Sequence, residues 1–135
     1  MTNAPRKKGT AWETAIVSYL ATRGLRARRK PLAGNQDKAD IDLTDLPDIV
    51  IEAKNTQRVT LAEFLDQAVK EAMHAGARVC AVWQHRRRAG SPGQGYVLLS
   101  GDHFVNMLLE LVELRTIARQ LEAPETSREA QGDGR

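Results

Sequence analysis

The sequence predicts an α/β domain, a small mixed sheet of about five strands flanked by helices. Apolar residues recur with a period near 3.6 around Trp12–Leu20, Phe64–Ala72 and Phe104–Leu121, the pattern of three amphipathic helices. Short alternating or apolar runs at Leu25–Leu32, Asp40–Leu43, Ile49–Asn55, Val79–Trp83 and Tyr96–Ser100 read as strands. Turn residues separate them: Gly24, the Thr44–Asp48 segment with Pro47, Gly76, and a loop holding Gly90, Gly93 and Gly95. The order helix, three strands, helix, two strands, helix makes the first three strands an antiparallel meander. The helix between the third and fourth strands is a crossover that leaves those two parallel.

Taken in order, residues 1–9 form a basic, Pro-containing leader, expected to be mobile, and residues 10–121 form the single domain. Thr10-Ala-Trp-Glu13 has the form of a capping box opening the first helix, which closes near Gly24. Glu13 as third helical residue can bond back to Thr10. It also lies on the stripe of Ile16, Val17 and Leu20, at spacings of three, four and seven, where a carboxylate reaches a site between helix and sheet. Thr60-Leu-Ala-Glu63 is a second capping box, and its helix carries the inner stripe Leu61, Phe64, Leu65, Ala68 and Ala72. The tail, 122–135, is polar with Pro and Gly and reads as disordered.

At 135 residues, 41% of them hydrophobic and only 4% aromatic, the chain is long enough for a core without metal or disulfide staples. Cys80, the single cysteine, excludes an internal disulfide and a zinc site of cysteine pairs; its neighbours Val79, Ala81 and Val82 make it a packed thiol. With no long apolar run and no apolar segment in Met1–Thr10, neither a membrane span nor a signal peptide is expected, and the location expected is cytoplasmic.

The net charge of +3 is unevenly spread. Residues 1–38 hold nine Lys/Arg against two Asp/Glu, residues 39–75 three against eight, and the remainder eight against seven. Basic flanks around an acidic middle suit a polyanion held beside a bound cation, although a solubilising surface with a basic leader has the same composition.

The acidic middle contains Asp40-Ile-Asp42 on one strand and Glu52-Ala-Lys54 on the next. With 17 acids and six lysines an acid-x-Lys tripeptide arises by chance roughly once in such a chain, so Glu52-Ala-Lys54 gains meaning only from context. Side chains alternate across a strand, so Val50, Glu52 and Lys54 share one face, while Ile49, Ile51 and Ala53 take the other. A register with Asp40 opposite Glu52 leaves Thr44–Asp48 as the turn; Asp42 opposite Glu52 moves the turn by two residues. Either brings an Asp within about 5 Å of Glu52 at the β carbons, close enough to share one divalent ion, and a one-residue slip separates them. Asp48 is roughly 13 Å from Glu52 along an extended strand, and with Asp45 it belongs to the turn. Magnesium needs only a few carboxylate oxygens, so Asp40 or Asp42, Glu52, the Ala53 carbonyl and Glu13 form an adequate set. Lys54 on the same face would orient or help deprotonate water, or neutralise charge building on a phosphate. The plainer alternative is an exposed ion pair of Lys54 with an acid on a wet sheet face.

With Glu13 on the first helix, Asp40 on the second strand and Glu52-Ala-Lys54 on the third, the chain resembles the PD-(D/E)xK, restriction-endonuclease-like nucleases. Ala39-Asp-Ile41 followed by Ile49-Val-Ile-Glu-Ala-Lys-Asn55, a capped helix and an apolar strand ending in a basic loop is most similar to the small Holliday junction resolvases, archaeal type and their phage relatives. The resemblance covers about residues 10–115 and departs at Ala39, where the motif's name implies proline. It implies a homodimeric endonuclease, dependent on Mg2+ with Mn2+ substituting, that hydrolyses phosphodiesters in branched DNA. It implies Glu13, Asp40 and Glu52 as acidic site residues and Lys54 as the family lysine, with Asp40 preferred to Asp42 by its spacing to Glu52. A phage-encoded copy would work in the host cytoplasm.

Candidate DNA contacts are Arg26, Arg28, Arg29, Lys30 and Lys38 before the site and Arg86, Arg87 and Arg88 after it, groups that hold phosphates without reading bases. Gln67, on the helix after Lys54, either faces the site, as glutamines do in some relatives of the family it resembles, or is a solvated helix residue; His85 reads as a surface residue, Trp12 and Trp83 as core. The apolar residues Leu108, Leu109, Leu111, Val112 and Leu114 of the last helix exceed one narrow stripe, which a symmetric dimer would explain, as would burial within the monomer. The other functions compatible with this reading are a sequence-specific or general DNA nuclease, and a non-catalytic DNA-binding module.

Overall fold

The computed structural model describes residues 4–30 and 39–123, with side chains in the first helix from Gly9 onward. Three α-helices, α1 (Ala4–Thr22), α2 (Leu61–Ala75) and α3 (Gly101–Glu122), accompany five strands: β1 (Ala27–Arg29), β2 (Ile41–Leu43), β3 (Ile49–Lys54), β4 (Val79–Gln84) and β5 (Tyr96–Leu98). The strands form one sheet in the order β1-β2-β3-β4-β5, antiparallel at every junction except the parallel pair β3–β4. This is the mixed sheet with one crossover that the element order predicts, because α2 carries the chain back across the sheet before β4 begins.

Alternation along β3 divides the core. Ile51 and Ile41, paired across β2–β3, pack with Leu43 against Trp12, Ile16 and Leu20 of α1. On the other face, Val50, Cys80, Val82 and Ala39 meet Phe64, Ala68 and Ala72 of α2. The face that carries Glu52 is therefore not wet, contrary to the exposed-pair alternative. It lies under a helix, and Glu52 is only 7% exposed.

Several boundaries differ from those expected. Helix α1 begins at Ala4, so Thr10 is helical and the Thr10–Glu13 box caps nothing; the Thr10 carbonyl instead accepts from Thr14 Oγ1 at 2.9 Å. The cause is that Pro5 suits a first helical turn and Lys7 and Lys8 are good helix formers, while Gly9 is tolerated. At α2, Thr60 is the N-cap, but its hydroxyl lies 3.1 Å from Glu63 Oε2 and caps no backbone amide. Leu61 belongs to no core stripe, at 58% exposed; the buried residues of α2 are Phe64, Ala68, Glu71 and Ala72. Gly24 and Gly76, with φ of 83° and 64°, end α1 and α2 in the left-handed region where a Cβ would be strained. The segment 31–38 and the tail from 124 lie outside the described residues, as does residue 38 among the proposed DNA contacts.

Helix α3 is capped by Ser100, whose Oγ accepts from the His103 amide at 3.1 Å, and it meets the sheet mainly along β4. It buries no residue within the chain, leaving Phe104, Leu108, Leu109, Leu111, Val112 and Leu114 among its exposed apolar side chains. Among the described residues no helix is long and apolar enough to cross a membrane.

Ile16 is fully buried between α1 and the sheet, so Ile16→Ala is expected to lower the free energy of unfolding by about 2–5 kcal/mol in urea titration. The same titration of Met73→Ala, at a residue 77% exposed, should move by no more than about 0.5 kcal/mol.

Candidate functional site

The β2–β3 register creates the site. Ile41 pairs with Ile51 and Asp42 with Val50, which leaves Thr44–Asp48 as the turn and carries Asp40, one residue before β2, to the level of Glu52. Asp40 Oδ2 accepts from the Ala53 amide at 2.9 Å, and its carboxyl lies close enough to that of Glu52 for the two to influence each other's protonation. Lys54 follows on the same face, its Nζ 3.5 Å from Glu52 Oε1 and 5.5 Å from the centre of the Phe64 ring. Asp42 is not brought to Glu52. It faces Val50, where Lys30 Nζ at 3.0 Å and Arg28 Nη2 at 3.6 Å take its two oxygens.

A third carboxyl, which the sequence reading passed over, closes the group from α2. Glu71 is 2% exposed, and its carboxyl lies close enough to that of Glu52 to help raise the Glu52 pKa. Its Oε1 accepts from Gln67 Nε2 at 2.9 Å, and its Oε2 lies 4.0 Å from the Cys80 thiol. Gln67, for which the sequence offers both a solvated position and one facing the site, belongs to this cluster, because positions 67 and 71 are one turn apart beside the buried stripe. The signal was present: Glu71 lies three residues after Ala68 and seven after Phe64, the spacing that singled out Glu13.

Glu13 itself is drawn aside. Its Oε2 accepts from Arg29 Nε at 2.9 Å, while its carboxyl remains within electrostatic range of Asp40. Burial raises the Glu13 pKa, opposed by the Arg29 hydrogen bond, with Asp40 adding to the rise. Burial likewise raises Asp40; the hydrogen bonds from Ala53 and Glu52 oppose this, Glu71 adds to it, and Lys54 opposes it. Glu52 is pushed up to about 10, first by burial and then by the charges of Asp40 and Glu71, with Lys54 opposing. Cys80 rises to about 12 by burial and the neighbouring acids, the behaviour of a packed thiol.

Carboxyls crowded into a buried site, with one ammonium alongside, form an oxygen-rich donor set whose mutual repulsion a divalent cation would relieve. Among the described residues no three His, Cys, Asp or Glu side chains stand together as a ready coordination group. The donors that would suit a divalent cation are accordingly the Asp40–Glu52 pair and the Ala53 carbonyl, since magnesium needs only a few protein oxygens.

Most of the basic candidates preceding the site are engaged with acids. Arg26 Nη2 meets Asp45 Oδ1 at 2.6 Å, Arg29 holds Glu13, and Arg28 and Lys30 share Asp42. After the site, Arg86 stacks 5.7 Å from the Tyr96 ring centre, and Arg86, Arg87 and Arg88 form no ion pair among the described residues. Arg86, Arg87 and Tyr96 line a groove of about 280 Å³ with Asn55, Gln57 and His85 at the carboxyl ends of β3 and β4, the end of a parallel pair where ligands are commonly bound. His85 leans edge-on against Trp12, and Trp12 Nε1 and Trp83 Nε1 donate to the carbonyls of Trp83 and Pro92, so both tryptophans serve packing.

Because folding raises the Glu52 pKa from 4.5 to about 10, the folded state binds more protons than the unfolded chain between those values. This contribution to stability is full below pH 4.5 and is lost as pH rises towards about 10, by at most about 1.4 kcal/mol per pH unit. The metal-free protein is therefore expected to unfold at a higher urea concentration at pH 5.5 than at pH 8, and Glu52→Gln should reduce that difference.

No family model matches the chain, and no curated protein matches it. Among solved structures, Archaeoglobus fulgidus Hjc, a Holliday junction resolvase from an archaeal hyperthermophile, is similar over 73% of this chain and 88% of that chain, at 23% identity and a TM-score of 0.45.

Proposed function

We propose that the chain is a divalent-metal-dependent, structure-selective DNA endonuclease that hydrolyses phosphodiesters in branched DNA. The observation that carries the reading is the meeting of Asp40 and Glu52 across β2–β3 with Lys54 on the same face. An acid pair buried beside a lysine is expensive to maintain and has no need to exist in a sheet that merely packs. The sequence resemblance built on Glu13, Asp40 and Glu52-Ala-Lys54 supports the same chemistry.

In this reading Asp40, Glu52 and the Ala53 carbonyl hold Mg2+ or Mn2+, which when bound supplies Lewis-acid stabilisation to the phosphate and activates water. The Ala53 amide fixes Asp40, so that the pair is preorganised before substrate arrives. Lys54 places its ammonium beside Glu52, where it orients the attacking water and offsets the negative charge that grows on the phosphoryl oxygens. Glu13 and Arg29 lie at the rim, and Arg86–Arg88, which form no ion pair among the described residues, hold the sugar-phosphate backbone. With a single cysteine and, among the described residues, no recognition helix to read bases, recognition of DNA shape is favoured.

The unburied apolar side chains of α3 support a homodimer, two copies of which would bring two sites to one junction.

Incubation of a synthetic four-way junction and a linear duplex with Mg2+ or Mn2+ tests the function. Wild type should nick the junction in preference; Glu52→Ala should be inactive, and Lys54→Ala should be slower by about a hundredfold or more. Equal cutting of both substrates would replace structure selectivity with a general nuclease, and undiminished cutting by Glu52→Ala would remove the enzyme. In sedimentation velocity the wild type should run as a dimer and Leu109→Glu/Val112→Glu as a monomer.

A further inference from the structure

Glu71 is a costly residue to bury. An acid 2% exposed on the core face of a helix loses nearly all its hydration, and such positions are ordinarily apolar. Its neighbours on the same face, Phe64, Ala68 and Ala72, are apolar. Nor does an ion pair explain it: among the described residues no Lys, Arg or His nitrogen lies within ion-pair distance of Glu71. Among the described residues its polar neighbours are the Gln67 amide one turn earlier, the Cys80 thiol of β4 and the carboxyl of Glu52. Gln67 fixes Oε1 from the same helix, which leaves Oε2 on the side of the sheet. Glu52 by itself has a second option, since Lys54 Nζ stands 3.5 Å away and would draw its carboxyl along the strand.

We propose that Glu71 is a positioning residue: anchored by Gln67, it holds the Glu52 carboxyl against Asp40, so that the two acids present their oxygens together. The chemistry of this role rests on the nuclease reading above, whereas the contacts do not. The arrangement makes α2 a structural part of the site, because one helical turn, Gln67 to Glu71, sets the orientation of a side chain on β3. Outer groups of this kind commonly change metal affinity or activity by about 10–100-fold when removed.

The test uses full-length Glu71→Leu, Glu71→Gln and Gln67→Met, each checked for folding by circular dichroism. Mn2+ binding is measured by calorimetry without DNA, and junction cleavage is measured at saturating Mn2+. Glu71→Leu is expected to weaken Mn2+ binding about tenfold or more and to lower kcat with little change in KM for DNA. Glu71→Gln, whose amide can still hydrogen-bond Glu52, should recover most of both. Gln67→Met should shift both in the same direction as Glu71→Leu, by less. A purely structural acid would alter melting alone, so wild-type binding and kcat in folded Glu71→Leu overturn the proposal. Equal losses in Glu71→Gln and Glu71→Leu overturn it as well, by making Glu71 a direct ligand. Should Glu71→Leu fail to fold, unchanged Mn2+ affinity and kcat in Gln67→Met overturn it. A wild type that binds Mn2+ but cuts no DNA defeats the nuclease reading and leaves the calorimetric comparison to decide Glu71. A wild type that cuts, with Glu71→Leu unchanged, defeats the positioning role alone. Absence of any Mn2+ binding defeats it too.

Discussion

The pairing of Ile41 with Ile51 is the constraint on which the rest of the arrangement depends. Both side chains are sealed against Trp12, Ile16 and Leu20, and a slip of one residue would turn an isoleucine towards α2 and an acid towards α1. The hydrophobic cost of that slip, about 1.5–3 kcal/mol for each large apolar side chain exposed, is what guards the register. The opposition of Asp40 and Glu52 then follows from that register. Two acids that repel one another are held together by two isoleucines on the other side of the sheet.

Electrostatics complete what packing imposes. Glu52 lies between Asp40 and Glu71, beneath a helix, with Lys54 as the nearest cation. Elsewhere the acids are compensated locally: Asp45 by Arg26, Asp42 by Lys30 and Arg28, Glu13 by Arg29. The contrast separates acids that stabilise the surface from acids that stay under tension. Net charge does not reveal it, because both kinds count alike in the total.

How much of this was legible in the sequence depended on how local its cause was. The element order and the parallel β3–β4 pair followed from apolar periodicity and from the length of the crossover. The Asp40–Glu52 opposition is legible because Thr44–Asp48 is a turn of natural length, whereas the pairing of Asp42 with Lys30 and Arg28, which separates it from Asp40, is a tertiary contact. Glu71 escaped because an acid on a helix is ordinarily solvated, and only the sheet beneath α2 shows which face it takes. The start of α1 was misplaced because Thr10–Glu13 carries a valid local cap signature that the helical preference of the preceding residues overrides. On α3, amphipathic spacing implies a wall to pack against, yet no residue of the helix is buried within the chain, which meets it mainly along β4.

The strand pair that carries the site also has a metric consequence. The His85 amide donates to the Lys54 carbonyl at 2.8 Å, so the last residue of β3 and the first residue of the Arg86–Arg88 loop are tied at a fixed spacing. In the proposed nuclease that tie acts as a ruler: a backbone gripped by Arg86 or Arg87 is measured off against Lys54. Insertions between Ala89 and Gly95 would lengthen the loop's reach over DNA without changing the distance from grip to cut.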